Sequence, residues 1–368
     1  MTIPTIEEQY MLELINDARL NPTGNAARYL MSTQPITGAS SEINSALSFF
    51  NVSGPAFAQA LAAITPSAPL AWSTRLATAA EKHSAAMIAA DAQSHQLPGE
   101  ATLLARISAE GYSATRVGEN VYGFTENVLF GHAGFVIDWG YDTQDYTNGK
   151  LNASFAQTGD GMQEPPGHRN TIFDPAFREI GIDVTHQPDT KKALGPLVVT
   201  QNFGTSGATP FITGVAYTDS DKDAFYSFGE GRGDLVVQSV LGKVTSYASG
   251  GYTLTAARGT NALALSGGGL SGLVNVTATL ADENLKLLTS GSISVTGAIS
   301  EIRALGIKPV TITAGAGNQT IIGTIGNDVL EGGEGNDILQ GGLGDDILRG
   351  GPGQDIAVFE GHSDEYTM

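Results

Sequence analysis

The spacing of hydrophobic positions changes twice along the chain. From Glu8 to Leu30 apolar residues fall at Met11, Leu12, Ile15, Ala18 and Leu20 before Asn21-Pro22 interrupts, which predicts an amphipathic helix with a break. Ser73 suits the N-cap of a second helix, whose Leu76, Ala80, His83 and Met87 form one stripe and which ends near Asp91. On that stripe His83 reads as a packed core residue and not as a ligand. Residues 44–69 are rich in Ala and Phe with proline breaks, a helical insertion without visible chemistry. From Phe211 to about Thr313 the period shortens to two in DLVVQSVLGKVTSYA, GGYTLTAAR and LVNVTATLA, which with glycine turns predicts an antiparallel β-sandwich. Beyond it apolar pairs return every nine residues, as Val329/Leu330, Ile338/Leu339, Ile347/Leu348 and Ile356/Ala357, and are expected in the interior.

Those pairs sit in four consecutive units: GTIGNDVLE from Gly323, GGEGNDILQ from Gly332, GGLGDDILR from Gly341 and GGPGQDIAV from Gly350. They explain much of the excess of 47 glycines in 368 residues. Glycine permits a tight turn, the aspartate and turn carbonyls are hard oxygen ligands, and the apolar pair makes a short strand. Two units complete one coil, so Asp328 is expected to stack with Asp346 and Asp337 with Asp355, a cation lying between stacked turns. AGAGNQTII from Ala314 is a degenerate unit with Gln319 in place of the aspartate, and there the coil is expected to fray. Between Thr320 and Met368 ten acidic residues face Arg349 alone, so without calcium the segment repels itself and is expected to be disordered. The units resemble the calcium-binding nonapeptides of RTX (hemolysin-type) proteins, G-G-x-G-x-D-x-U-x. The resemblance implies a parallel β-roll holding calcium, a secreted bacterial protein, and the type I secretion machinery as export partner, acting through an uncleaved C-terminal signal. FEGHSDEYTM, after Val358, reads as the opening of a longer trailing module, so the sequence is expected to stop short of that signal.

Charge sharpens this. Nineteen Lys and Arg against 38 Asp and Glu give a net charge of −19, which argues against nucleic acid or an anionic membrane as partner and in favour of cations. No apolar run approaches the ~18 residues of a membrane span, and MTIPTIEEQY lacks the basic start and apolar core of an ordinary secretory signal. With no cysteine there is no disulfide, thiol catalysis or Cys-ligated zinc.

In the first half, four segments follow in order: Ser94-His95, Gly118-Glu119-Asn120, FVIDWGYD from Phe135, and Pro166-Gly167-His168-Arg169 leading to Arg178-Glu179-Ile180-Gly181-Ile182. Together with LAWSTRLATAAEKHSAAM and VVTQNFG they resemble the CAP superfamily (cysteine-rich secretory proteins, antigen 5, pathogenesis-related 1) over roughly residues 5–205, in a cysteine-free bacterial form. The resemblance implies an α-β-α sandwich and a cleft with two histidines and two acids. These fall on His95, Glu119 and His168, with the fourth on Asp142, three residues after Trp139, where many relatives carry glutamate. As a metal site, His95 and His168 would bind zinc or another divalent ion, with Glu119 as ligand or base. As a structural site, the same groups form hydrogen-bonded ion pairs that hold a cleft open. No G-x-S-x-G or H-E-x-x-H signature accompanies them, which argues against an enzyme.

A third cluster opens the alternating segment: Asp219, Asp221, Asp223 and Glu230 occupy positions 1, 3, 5 and 12 of a calcium loop, with Ala224 where an EF-hand wants glycine. It resembles the opening loop of prealbumin-like or Cna-B-like surface modules. The expected architecture is multidomain α+β: a CAP-like domain over 1–208, a β-sandwich over 211–313, a calcium roll over 314–358, and a trailing segment over 359–368. The function expected is a secreted calcium-binding protein whose cleft takes a small apolar, lipid or sterol ligand or a protein partner. Two alternatives stand beside it, a divalent-metal hydrolase using the tetrad and an adhesin or matrix scaffold.

Overall fold

The computed structural model describes residues 3–140, 146–147, 150–151, 159–218, 220–221, 223, 225–267, 273–280, 284–288, 292–296, 301–305, 307, 309, 311–314 and 317–360. Asp142, Asp219 and residues 361–368 lie outside them. The chain forms two compact units, Met1–Gly207 and Ala208–Met368.

In the first unit α1 (Ile6–Leu20) opens on a capping box, in which Glu8 N donates to Thr5 Oγ1 and Thr5 N to Glu8 Oε2. It stops at Asn21, whose side chain caps the short α2 (Pro22–Asn25). A hairpin of β1 (Leu30–Thr33) and β2 (Ile36–Gly38) follows, then the helical insertion, α3 (Ser41–Phe49) and α4 (Gly54–Ala62). A four-stranded sheet positions the site. Its order is β3 (Ala71–Trp72), β7 (Glu179–His186), β8 (Leu197–Thr205) and β4 (Arg116–Thr125), antiparallel except between β3 and β7. Between them in sequence lie α5 (Thr74–Ala90), α6 (Leu103–Ala109), α7 (Val128–Ile137), the small hairpin β5 (Tyr146–Thr147) and β6 (Lys150–Leu151), and α8 (Gly167–Phe173).

α5 buries its stripe of Leu76, Ala80, His83 and Met87 against β7 and β8. Gly181 of β7 permits the close approach, because a Cβ there would overlap the Ala77 backbone nitrogen. Asn202 of β8, the partner of both Gly181 and Glu119 in the sheet, donates to Leu76 O on the same face. Asn120, next along β4, points to the opposite face and donates to His168 O at the start of α8. Helices thus cover both faces, and β4 is an edge strand whose two faces present different chemistry.

The second unit runs through β9 (Phe211–Val215), β10 (Val236–Ser239), β11 (Gly242–Thr245), β12 (Gly251–Thr255), β13 (Gly259–Ser266), β14 (Leu273–Leu280), β15 (Leu285–Leu288), β16 (Ser292–Thr296) and β17 (Glu301–Leu305). The series continues with β18 (Thr311–Thr313), β19 (Thr320–Ile322), β20 (Val329–Glu331), β21 (Ile338–Gln340), β22 (Ile347–Arg349) and β23 (Ile356–Val358). One sheet has the order β11-β10-β13-β14-β16-β18-β20-β22 and the other β12-β9-β15-β17-β19-β21-β23. The strands expected in a separate sandwich therefore share two sheets with the roll. Pairings are mainly antiparallel at first and parallel from β16–β18 and β17–β19 onward. One apolar core joins both parts, with Ile212, Val237 and Tyr252 in the same cluster as Ile321, Leu330 and Leu339.

Two sequence expectations for the roll need correction. The apolar pairs are not buried as pairs: Leu330 and Leu339 are buried and Leu348 half-buried, whereas Ile338, Ile347 and Ile356 are 37%, 48% and 57% exposed, and Ala357 on the last rung is exposed too. Neighbours in a strand face opposite sides, so a three-residue rung buries its middle position. The coil also does not fray at Gln319. β19 pairs in register with β17 above and β21 below, and Gln319 N donates to Asp337 Oδ1 at 2.8 Å.

Burial pushes the Glu8 carboxyl up to about 7, against the Thr5 N–H bond and with the Asp183 charge adding to the rise. A folded value above the ordinary 4.5 means that the folded state binds the extra proton. The stabilisation is complete below about pH 4.5 and is lost as pH rises through about 7. Glu8→Gln is expected to flatten the fall in the first unit's thermal midpoint over that window. A wild-type slope retained in the variant would show that Glu8 is not its source.

Candidate functional site

On one face of β4 the Glu119 carboxylate, only 2% exposed, is held by three elements. Arg106 of α6 donates through Nη2 to Glu119 Oε2 at 2.9 Å and to His95 O at 2.9 Å. His95 lies over Oε1 at 3.1 Å with its ring 62% exposed, and His83 Nε2 stands 3.9 Å from the same oxygen. His83 is fully buried, its Nδ1 2.7 Å from Glu100 Oε1 and its Nε2 2.8 Å from Ser94 O. Burial raises the Glu100 carboxyl, but the Leu97 N–H, His83 and Arg106 outweigh it and hold the group below its ordinary value. Both His83 nitrogens face oxygen acceptors, and the Arg106 guanidinium lies between the two carboxylates, 3.5 Å from Glu100 and 2.9 Å from Glu119.

On the other face the pairing is different. Asp138, the left-handed C-cap of α7 at φ 59°, is fully buried and accepts from His168 Nδ1 at 2.6 Å. Its Oδ2 accepts the backbone N–H groups of His168 and Arg169, at 3.0 and 3.2 Å. His168 and Phe135, whose ring centroids are 5.3 Å apart, form part of the wall of a cavity of about 420 Å³ beside the β4 edge. Phe50, Tyr122, Phe124 and Trp139 supply its other aromatic surface, and Gln93 and Gln163 its amides.

His95 and Glu119 are therefore brought together, while among the described residues His168 shares no hydrogen bond with either. Asp142 lies outside the described residues, and the acid that holds His168 is Asp138. No group of three or more His, Asp or Glu side chains among the described residues is placed to hold a metal ion, so this cleft lends no support to zinc. Sequence reasoning missed Asp138, Glu100 and Arg106. The available signal for Asp138 was a carboxylate between Ile137 and Trp139, directly after a helix whose one polar side chain is His132, where an acid persists only if it is paired.

In the second unit the turn aspartates stack at eighteen-residue intervals. Asp328 N donates to Asp346 Oδ1 at 2.8 Å and Asp337 N to Asp355 Oδ1 at 3.0 Å. Asp337 Oδ2 is buried without a hydrogen-bond partner, and a Cβ at Gly332 would strike it. An orphaned carboxylate oxygen in a cradle only glycine can line suits calcium, and Asp328, Asp337, Asp346 and Asp355 are the residues that would hold it. The loop before β10 is arranged differently. Glu230 closes it, Oε1 accepting from Ser220 N and Oε2 from Ser227 N, at 2.6 and 2.9 Å. Asp221 and Asp223 each accept from the N–H two residues on. In the Arg-Gly-Asp triplet Arg232 and Asp234 pair with each other.

The family model of the cysteine-rich secretory protein (CAP) family matches residues 12–203, more than half of the chain. The chain belongs to that family. A second model, the RTX calcium-binding nonapeptide repeat in four copies, matches residues 310–330 and 322–357, which makes this CAP protein a calcium-binding one. The chain is also similar to an extracellular protein containing a SCP domain from Bacillus anthracis str. Ames. That match has 21% identity, covers 38% of this chain and about a third (34%) of the other, and has a TM-score of 0.25. No curated protein matches the chain.

Arg106→Met is expected to leave Glu119 buried without its guanidinium partner, lowering the stability of the CAP unit by about 3 kcal/mol or more. Adding Glu119→Gln should recover most of the loss in thermal melts. Additive losses in the double variant would contradict the pairing.

Proposed function

We propose that this protein is an extracellular calcium-binding CAP protein whose first unit takes a small apolar ligand and whose second unit folds on calcium. The observation that carries the ligand reading is the aromatic cavity of about 420 Å³ beside the β4 edge, a size ordinary for small-molecule sites. Among the described residues the wall has no Lys or Arg to meet a nucleotide's phosphates, and its aromatic faces suit an apolar body. No helix among the described residues is long and apolar enough to cross a membrane. Extracellular modules bind calcium at about 10⁻⁴–10⁻³ M. A roll unfolded by its own charge before export, by the type I route of similar repeats, would order on arrival. Asp221 and Asp223 serve as lesser calcium donors in this reading.

Two measurements on the full chain test it. Far-UV circular dichroism during titration from chelator to about 10 mM calcium, beyond the extracellular range, is expected to show a cooperative gain of β signal that Asp337→Ala shifts to higher calcium. An unchanging spectrum would remove calcium-dependent folding. Decane is expected to shift tryptophan emission in the wild type and not in Gln163→Trp, which fills the cavity. No shift in either would remove the ligand reading.

A further inference from the structure

We propose that Asp138 and His168 form a hydrogen-bonding dyad that accepts the hydroxyl group of the cavity's ligand, making that ligand an apolar alcohol. The inference rests on the reading of the cavity as a ligand site, and it adds the polar group by which the ligand is chosen.

The dyad is built from the fold. α7 is apolar apart from the buried His132 and ends at Asp138 in the left-handed conformation, which aspartate tolerates better than most residues. This turn places the carboxylate at the first residues of α8, where it accepts from His168 N, Arg169 N and His168 Nδ1. An ionised carboxylate only accepts, so the hydrogen of a neutral His168 ring resides on Nδ1. Nε2 is then a lone-pair acceptor, and among the described residues no protein group donates to it. The ring is one-fifth exposed and lines the cavity. A buried acid that fixes the imidazole tautomer from behind is an arrangement that presents the other nitrogen to a ligand.

The wall also selects against other head groups. Among the described residues it carries no Lys or Arg, and Gln93 spends its amide oxygen on Gly123 N–H at 2.7 Å. A ligand carboxylate would therefore enter next to the Asp138 charge without a cation on the wall to offset it. A hydroxyl donates one hydrogen bond to Nε2 and brings no charge. His95 does not compete for this role, since it is absent from the wall and engaged with Glu119.

The test uses the full chain with ¹⁵N-labelled histidine and three probes of one chain length: decane, decanol and decanoate. The ring spectrum of His168 is expected to show hydrogen on Nδ1, and decanol to move the Nε2 resonance. Decanol should bind about ten-fold tighter than decane, the effect of one good hydrogen bond. Decanoate should bind more weakly than decanol. In His168→Gln the preference for decanol should fall to within about three-fold, and in Asp138→Asn the tautomer should no longer be fixed. If Asp138→Asn fails to fold, the wild-type spectrum and His168→Gln still decide. Equal binding of decane and decanol would overturn the dyad and leave the cavity reading intact. Tighter binding of decanoate, or hydrogen on Nε2 in the wild type, would overturn the hydroxyl assignment. Binding of none of the three would overturn the cavity reading and the dyad together.

Discussion

Carboxylates stacked at eighteen-residue intervals govern the second unit. Asp328 and Asp337 are each 1% exposed, and each donates its backbone N–H to the side chain of the aspartate in the next rung. Burying like charges together costs several kcal/mol per ion unless a cation is shared between them. The glycine cradles make this constraint inflexible, because any side chain at Gly332 or Gly341 would collide with Asp337 or Asp346. The buried middle residues Ile321, Leu330 and Leu339 make only a narrow core, so in the proposed reading calcium supplies much of what a larger domain obtains from burial. This core does not end at the repeats. Ile312 and Ile302 carry it from Leu330 and Ile321 into the antiparallel strands, up to Ile212 and Tyr252.

In the CAP unit the alternation of one strand separates two kinds of chemistry. Glu119 turns toward α5 and α6, where it meets the buried His83 and the Arg106 guanidinium that also faces Glu100. Asn120 turns toward α8, the side where Asp138 holds His168. The two histidines that resembled one metal pair thus have separate carboxylate partners. His95 lies on the surface above a buried ion network, while His168 faces an aromatic cavity. In the function proposed above, the first network is a structural support and the second a recognition site.

Much of this was legible in the sequence where a short-range rule governs. The nine-residue period identified the coil, and the break at Asn21-Pro22 matched the end of α1 because a proline cannot extend that helix without losing a hydrogen bond. The G-E-N and G-H-R segments located two of the site's side chains. What was missed depends on which face a residue takes or what it meets far along the chain. The apolar pairs could not show that only Leu330 and Leu339 are buried. Gln319 reads as a fault in the repeat, yet the rungs on both sides hold its strand in register. Asp138 finds His168 thirty residues away, a partnership no spacing rule contains.

In the proposed reading calcium orders the second unit as one body through its shared core, and native-state hydrogen exchange on the full chain, with calcium and with chelator, reads that coupling. Removing calcium is expected to expose the amides of residues 211–215 and 251–255 together with those of residues 320–358, because Ile212 and Tyr252 share a core with Leu330 and Leu339. Loss of protection confined to residues 320–358, with the antiparallel strands unaffected, would contradict it.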